Sequence, residues 1–83
     1  MPSKNWHNEG QNGPAREVWT RQIGTFRGEV MTAAVEVMPY RCLVTIFVGK
    51  EIDQDYEGVP FDTLEKAKKW ADSLGQRTSA RGS

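Results

Sequence analysis

The apolar run CLVTIFV at residues 42–48 constrains the fold of this chain more than any other feature. Thr45 is its only polar residue, which is typical of a central β-strand that is covered on both sides. Alternation along the strand sends its apolar side chains to two faces, with Cys42, Val44, Ile46 and Val48 on one and Leu43 and Phe47 on the other. A chain of 83 residues forms one small domain, so few of its residues are left to cover both faces of a sheet.

The segments around this run indicate further strands. Apolar and polar residues alternate from Arg16 to Ile23, and the turn-prone Gly24 follows. Residues 28–38 fit either a strand or a helix, and their β-branched content favours a strand that ends before Pro39. After a tight turn at residues 49–50, the alternation over residues 52–57 predicts a fourth, edge strand.

The stretch DQDYEG at residues 53–58 resembles the first half of a calcium loop, D-x-D-x-E-G. Such a loop ends on a bidentate acid at its twelfth position, which is Leu64 in this chain, and Pro60 fits its eighth position poorly. Acids at every second residue are instead typical of a strand with a charged solvent face. We therefore expect no metal site here, and no segment of the chain predicts a cofactor.

The C-terminal segment predicts one amphipathic helix. Its apolar residues recur at helical spacing: Leu64, Ala67, Trp70, Ala71 and Leu74. Asp62 and Glu65 have the spacing of a capping box, and Gly75 is a stop signal. The predicted fold is α+β, a four-stranded antiparallel β-meander with one C-terminal helix packed on one face (ββββα). It spans residues 16–75, between a flexible N-terminal arm (1–15) and a flexible C-terminal tail (76–83).

Catalysis finds little support in the sequence, and we predict that the protein is not an enzyme. The only histidine, His7, lies in the predicted arm, and no Cys/His cluster or glycine-rich phosphate loop is present. Eleven basic and eleven acidic residues balance, so no bulk attraction to nucleic acid or to anionic membranes is expected. A single cysteine, no internal disulfide and no apolar leader predict a cytoplasmic protein.

One helix can cover only one face of the predicted sheet, so the second face requires another cover. A second copy of the chain, another protein, or the chain's own aromatic residues could supply it, and the sequence leaves these alternatives open. The aromatic residues available for this purpose are Trp6, Trp19, Phe26 and Tyr40.

An acidic stretch offers a second surface for protein contact. Five acids occur between residues 51 and 62 without a base among them, and they could dock a basic partner or simply form a solvated edge. The predicted protein-binding residues are Glu51, Asp53, Asp55, Glu57, Leu43 and Phe47. We predict a small non-catalytic protein-binding module, which inhibits or adapts a larger macromolecular machine and forms a homodimer in one version of the hypothesis. Phages and mobile elements encode small proteins of this character, among them anti-CRISPR proteins, although no residue motif assigns this chain to a family.

The alternative hypothesis is a single-stranded nucleic-acid-binding protein. Aromatic and arginine side chains that alternate on a sheet can stack on bases and hold phosphates. The candidate residues are Arg16, Trp19, Arg21, Arg27, Tyr40 and Arg41. The zero net charge and the glutamates on the same strands (Glu17, Glu29 and Glu36) argue against this alternative.

Overall fold

The computed structural model describes residues 6–13 and 15–82, with residues 12 and 76–82 described by their backbone alone. In this part of the chain six strands precede one helix: β1 (His7–Asn12), β2 (Ala15–Phe26), β3 (Glu29–Val37), β4 (Cys42–Val48), β5 (Glu51–Ile52), β6 (Val59–Phe61) and α1 (Leu64–Gly82). They form one antiparallel sheet in the order β1-β2-β3-β4-β5, and β6 also pairs with β4. The predicted α+β meander with a C-terminal helix is confirmed, with more strands than the four expected.

The three long strands, β2 to β4, form the centre of the sheet. Residues 27–28 turn the chain from β2 to β3, and both have positive φ (53° and 81°), as a two-residue hairpin turn of the I′ type requires. The ambiguous segment 28–38 is a strand over Glu29–Val37, because Met31, Ala33 and Val35 alternate into the core.

The hydrophobic core lies between β2–β4 and α1. Its largest fully buried side chains are Val35, Val44 and Ile46, and the helix contributes two alanines and a leucine to the same cluster: Ala67, Ala71 and Leu74. Trp70 packs at the side of this cluster, with its ring centroid 5.5 Å from that of Tyr56 and 5.3 Å from that of Phe61. Small residues on α1 let the helix approach the sheet closely.

The helix does not stop at Gly75, so that prediction was wrong. Its backbone continues to Gly82, through most of the segment that we had predicted to be a flexible tail. Gly75 instead lies against Ile23 of β2, where an added Cβ would collide with the backbone oxygen and the Cβ of Ile23. The glycine is therefore a point of close packing between helix and strand.

The first turn of α1 is capped one residue later than predicted. The backbone N–H of Lys66 donates to Thr63 Oγ1 at 3.2 Å, which makes Thr63 the capping residue in place of Asp62. Asp62 instead pairs with Lys66 four residues on, at 3.8 Å between Oδ2 and Nζ.

The predicted strand over residues 52–57 was also wrong. Only Glu51–Ile52 pairs with β4, and a short 3₁₀ turn follows at Gln54–Tyr56. The Asp53 carboxylate accepts a hydrogen bond from the backbone N–H of Asp55 at 3.0 Å. This local bond occupies a donor that a strand would need for its ladder, and the chain turns instead.

Part of the segment predicted as a flexible arm is a strand. β1 pairs with β2 through an irregular register that includes bulges around residues 9 and 11. Residues 1–5 and 14 of that arm, and residue 83 of the predicted tail, lie outside the described residues. Among the described residues, no helix is both long and apolar enough to cross a membrane.

Candidate protein-docking face

The sheet has one face that α1 does not cover, and we call it the open face. The strand register assigns residues to it in cross-strand rows. The first row is Gly10, Val18, Glu36, Leu43 and Pro60; the middle row is His7, Thr20, Ala34 and Thr45; the third row is Gln22, Thr32, Phe47 and Ile52. Val18 is the one buried residue of these rows. Val30 adds an exposed apolar side chain at the end of β3.

Leu43 and Phe47 are the largest apolar side chains of the central part of this face. They lie on either side of Thr45 on β4, and both are half-buried. The only helix among the described residues packs on the opposite face, against the core cluster. β4 therefore presents apolar side chains on both faces of the sheet, as predicted. Cys42, Val44 and Ile46 are buried under α1, and Leu43 and Phe47 lie on the face that no helix covers.

The aromatic residues that could have closed the open face lie elsewhere. Trp6 and Trp19 pack against the core cluster beside α1, where Lys68 Nζ lies 3.9 Å from the Trp19 ring centroid and 6.0 Å from that of Trp6. Phe26 lies at the tip of the β2–β3 hairpin with the Arg27 guanidinium over its ring. Tyr40, in the β3–β4 turn, is 96% exposed. These aromatic residues therefore do not cover the open face, and the two other covers that the sequence left open are a second copy of the chain and another protein.

The polar groups of the middle row have partners within the chain. Thr45 Oγ1 accepts a hydrogen bond from the backbone N–H of Gly58 at 3.2 Å. Thr20 Oγ1 donates to Glu9 Oε2 at 3.0 Å. Since burial of a polar group is unfavourable mainly when the group loses its hydrogen bonds, these hydroxyls oppose the burial of this face less than free ones would.

The acidic residues predicted for protein contact lie beyond the outer edge of β4. Glu51, Asp53 and Asp55 line a shallow, open groove of ≈ 930 Å³, and Glu57 borders the neighbouring surface with Glu51 and Ile52. Ile52 pairs with Phe47 and belongs to the open face, whereas Glu51 pairs with Val48, whose side chain packs against the core on the α1 side. The acidic residues therefore border the sheet edge beyond β4, where the two faces meet, and we call them the acidic border.

Three charged residues of this groove were missed by the sequence reasoning. Glu29 lies across the groove from the acidic stretch, and Arg27 and Lys50 also line it. In an antiparallel meander every second turn lies at the same end of the sheet. The β2–β3 and β4–β5 turns are therefore neighbours, and this rule could have placed residues 27–29 beside residues 50–51. The acidic stretch 51–62 therefore contains no basic residue, but the folded chain brings Arg27 and Lys50 close to it.

The six residues of the nucleic-acid alternative do not form one surface. Arg21 Nη1 pairs with Asp72 Oδ1 of α1 at 2.6 Å, and Trp19 Nε1 donates to Glu17 Oε1 at 2.8 Å. Both side chains are thus engaged beside the helix. The other four are split between the two ends of the sheet: Arg27 at one end, and Arg16, Tyr40 and Arg41 at the other.

Groups with chemical reactivity are few and lie apart. His7, on β1, has Nε2 3.6 Å from Glu9 Oε2, and both side chains are largely exposed. Burial raises the pKa of the Cys42 thiol above its ordinary value, so that the unreactive thiol form is favoured. Within the described residues no group of three or more His, Cys, Asp or Glu side chains could hold a metal ion.

Comparison of the chain with protein-family models finds no match, and comparisons with curated proteins and with solved structures find no significant match. Function therefore has to be inferred from the open face and its acidic border.

Proposed function

We propose that the protein is a small, non-catalytic, protein-binding module that acts in the cytoplasm as an inhibitor or adaptor of a larger macromolecular machine. One observation carries the proposal: the open face presents Leu43 and Phe47 without a covering helix, although the opposite face carries the whole core cluster. Uncovered apolar patches of this kind are typical of interaction surfaces. The small size of the chain fits the inhibitors that phages and mobile elements encode.

The charges of the open face favour a protein partner over a nucleic acid. The face carries two acids, Glu36 and Glu9, the second of which accepts a hydrogen bond from Thr20, and the alternation of β2 adds one base, Arg16. Nucleic-acid surfaces need several cations to neutralise phosphates, whereas the centre of a protein interface is depleted of charge. The open face therefore lacks the cations that a nucleic-acid surface needs.

The acidic border supplies the charged rim of the proposed binding site. Glu51, Asp55 and Glu57 are exposed, and Glu51 and Glu57 share a surface with Ile52 of the open face. Rim charges act mainly on the rate of association and are screened by salt, so a partner with a basic surface would be captured faster at low ionic strength.

Affinity capture from cell lysate with the tagged full chain, with and without nuclease, tests this proposal. A Leu43→Thr/Phe47→Thr variant removes the apolar centre of the open face and keeps residues that favour strands. An Asp55→Lys/Glu57→Lys variant reverses the border and spares Asp53, whose carboxylate holds the 3₁₀ turn. We expect capture of a protein that survives nuclease and is lost in both variants.

The control for the charge reversal is Glu65→Lys/Ser73→Lys, which adds positive charge at exposed positions of α1 outside the acidic stretch. Circular dichroism and thermal melts establish that each variant is folded. Capture of nucleic acid alone, or protein capture that neither the open-face nor the border variant alters, contradicts the proposal.

A further inference from the structure

We infer that the groove beside the acidic border binds a short peptide segment of the partner protein, in which arginine or lysine side chains accompany an apolar one. This groove, of ≈ 930 Å³, lies between the β2–β3 turn and the residues that follow β4, and we call it the corner groove. The inference rests on the proposed function and states what the acidic border recognises. The position of the groove, its apolar lining and its charge support it.

The path of α1 leaves this corner of the sheet uncovered. The helix follows β6, whose Phe61 pairs with Cys42 at the start of β4. Further along the helix, Gly75 lies against Ile23, in the half of β2 that leads to the β2–β3 turn. The helix therefore crosses the sheet diagonally. The end of β4 and the tip of the β2–β3 hairpin lie to one side of its path, and the corner groove opens there.

The lining of the corner groove includes three apolar side chains, those of Phe26, Val48 and Ile52. Phe26 is 39% exposed and Ile52 is 43% exposed, so two of the large exposed apolar side chains of the described residues meet in one groove. Val48 packs against the core cluster, which anchors this lining to the fold. Because removal of apolar surface from water is favourable, an apolar side chain of a ligand is stabilised here.

Main-chain hydrogen bonds hold the walls of the corner groove in place. The N–H of Gly49 donates to the carbonyl of Val30 at 2.8 Å and joins the β4–β5 turn to β3. The N–H of Asp53 donates to the carbonyl of Ile46 at 2.8 Å and fixes the chain after β5 against β4. A groove that is formed before the ligand arrives lowers the entropic cost of binding.

The charge of the corner groove selects a cationic ligand. Four carboxylates line it against two bases: Glu29, Glu51, Asp53 and Asp55 against Arg27 and Lys50. The guanidinium of Arg27 lies over the Phe26 ring, 5.0 Å from its centroid. The ion pairs among the described side chains involve other acids, namely Glu9, Asp62 and Asp72. An incoming guanidinium or ammonium group therefore meets an excess of carboxylates and opposes a like-charged ligand of nucleic-acid type.

A cationic peptide fits this arrangement better than a metal ion or a small cationic molecule. Within the described residues no group of three or more acidic, His or Cys side chains could hold a metal ion, so the four carboxylates do not converge on one point. Sites for small molecules usually enclose most of the surface of the ligand, whereas this groove is open. A peptide segment can reach separate carboxylates with its cationic side chains while an apolar side chain contacts Phe26 and Ile52.

Fluorescence anisotropy with a short fluorescein-labelled peptide of arginine, leucine and glycine tests this binding directly. We expect the wild-type full chain to bind the peptide, and to bind it more weakly as the salt concentration rises. Two matched peptides, in which glutamate replaces arginine or serine replaces leucine, should bind far more weakly. No binding of the arginine–leucine peptide at millimolar protein overturns the inference. Equal binding of the serine peptide also overturns it, because the groove then contributes no apolar contact.

Paired variants test the location of the site. Glu51→Lys reverses an exposed carboxylate of the groove, and Glu65→Lys makes the same change of charge on α1. Phe26→Thr removes an apolar side chain of the groove, and Val30→Thr does so at a similarly exposed position outside its lining. We expect the two groove variants to weaken peptide binding by about fivefold to tenfold and the two controls by less than about twofold. Controls that weaken binding as much as the groove variants contradict the inference.

Nuclear magnetic resonance of the wild-type chain makes the test independent of how the variants fold. Titration with the unlabelled arginine–leucine peptide should shift the backbone amide signals of residues 26–29 and 48–55. Shifts centred on Leu43 and Phe47 would place the peptide on the open face and overturn the inference.

The two proposals fail in different ways. Protein capture from lysate that depends on Leu43 and Phe47, without any binding of the arginine–leucine peptide, contradicts the corner groove as a peptide site and leaves the proposed function in place. Peptide binding that maps to the corner groove, combined with capture of nucleic acid alone from lysate, supports the peptide site and contradicts the inhibitor or adaptor role.

Discussion

At the scale of single residues, Gly75 shows how one position can carry two opposite signals. Glycine near the end of an amphipathic pattern predicts a helix stop, because it adopts a C-terminal cap without strain. The same absence of a side chain permits close contact with a strand, and this is its use here, against Ile23. Only the tertiary contact decides between the two interpretations.

The Gly75→Ala variant should therefore be destabilised. Alanine has the higher helix propensity, by about 1 kcal/mol, so a merely helical position would gain stability. The added Cβ meets the backbone oxygen of Ile23, which cannot move alone, and overpacking of this kind costs about 1–3 kcal/mol. Urea unfolding should give a lower midpoint for Gly75→Ala and an equal or higher one for the exposed control Ser73→Ala. A stabilised Gly75→Ala would show that helix and strand are further apart.

Two short polar side chains, Asp53 and Thr63, decide where neighbouring elements begin. Each accepts a hydrogen bond from a backbone N–H two or three residues on, and the chain turns at the first and enters α1 at the second. Asp62 has the same capacity as Thr63 and lies one residue before it, so the sequence pattern alone could not choose between them.

At the scale of elements, the helix cap can be tested by a pair of alanine substitutions. Thr63→Ala removes the acceptor for the Lys66 N–H and should lower the free energy of unfolding by about 1 kcal/mol. Asp62→Ala removes only an exposed pair with Lys66, for which a few tenths of a kcal/mol, about 0.2–0.5, is typical. Thermal or urea unfolding of the two variants checks the order. A larger loss for Asp62→Ala would restore the capping box that the sequence suggested.

The elements that the sequence predicted correctly are those whose burial produces a pattern. β4 is apolar on both sides, β2 and β3 alternate, and α1 carries a helical stripe, so each could be predicted from its own residues. β1 buries little and its residues are polar, so its pairing depends on the free edge of β2 and leaves no local signal. Regular acid spacing at residues 53–57 likewise fits a strand and a capped turn equally well.

At the scale of the whole molecule, the candidate site was only partly predictable. The assignment of Leu43 and Phe47 to one side of β4 follows from alternation, and it holds whichever face the helix takes. Which face α1 covers is a tertiary choice, and that choice places Trp19 and Arg21 against the helix and removes them from any free surface. The groove around Glu51 joins residues from two turns, so its basic members could not be read from the acidic stretch.

Cys42 lies in the single hydrophobic core between the sheet and α1, so its reaction with a thiol reagent reports unfolding of the molecule. Its side chain lies in the core cluster beneath α1, with 4% of its surface exposed. Burial also raises the pKa of the thiol, and only the thiolate reacts with alkylating agents. Both effects predict that iodoacetamide labels the native protein far more slowly than the urea-unfolded chain, in which the thiol is exposed and its pKa is not raised.

The dependence of this labelling on protein concentration tests the homodimer that one version of the sequence-based hypothesis predicts. If two copies pack through their open faces, assembly stabilises the folded state by mass action, so labelling of Cys42 should slow as the protein concentration rises. Labelling of the monomeric Leu43→Thr/Phe47→Thr variant should be faster and independent of concentration, because that variant has only its own fold to protect the thiol. Mass spectrometry of timed samples at constant reagent measures both. A wild-type rate that matches the unfolded chain would show that α1 does not cover β4, and a slow rate that ignores concentration would leave the fold intact and contradict the dimer.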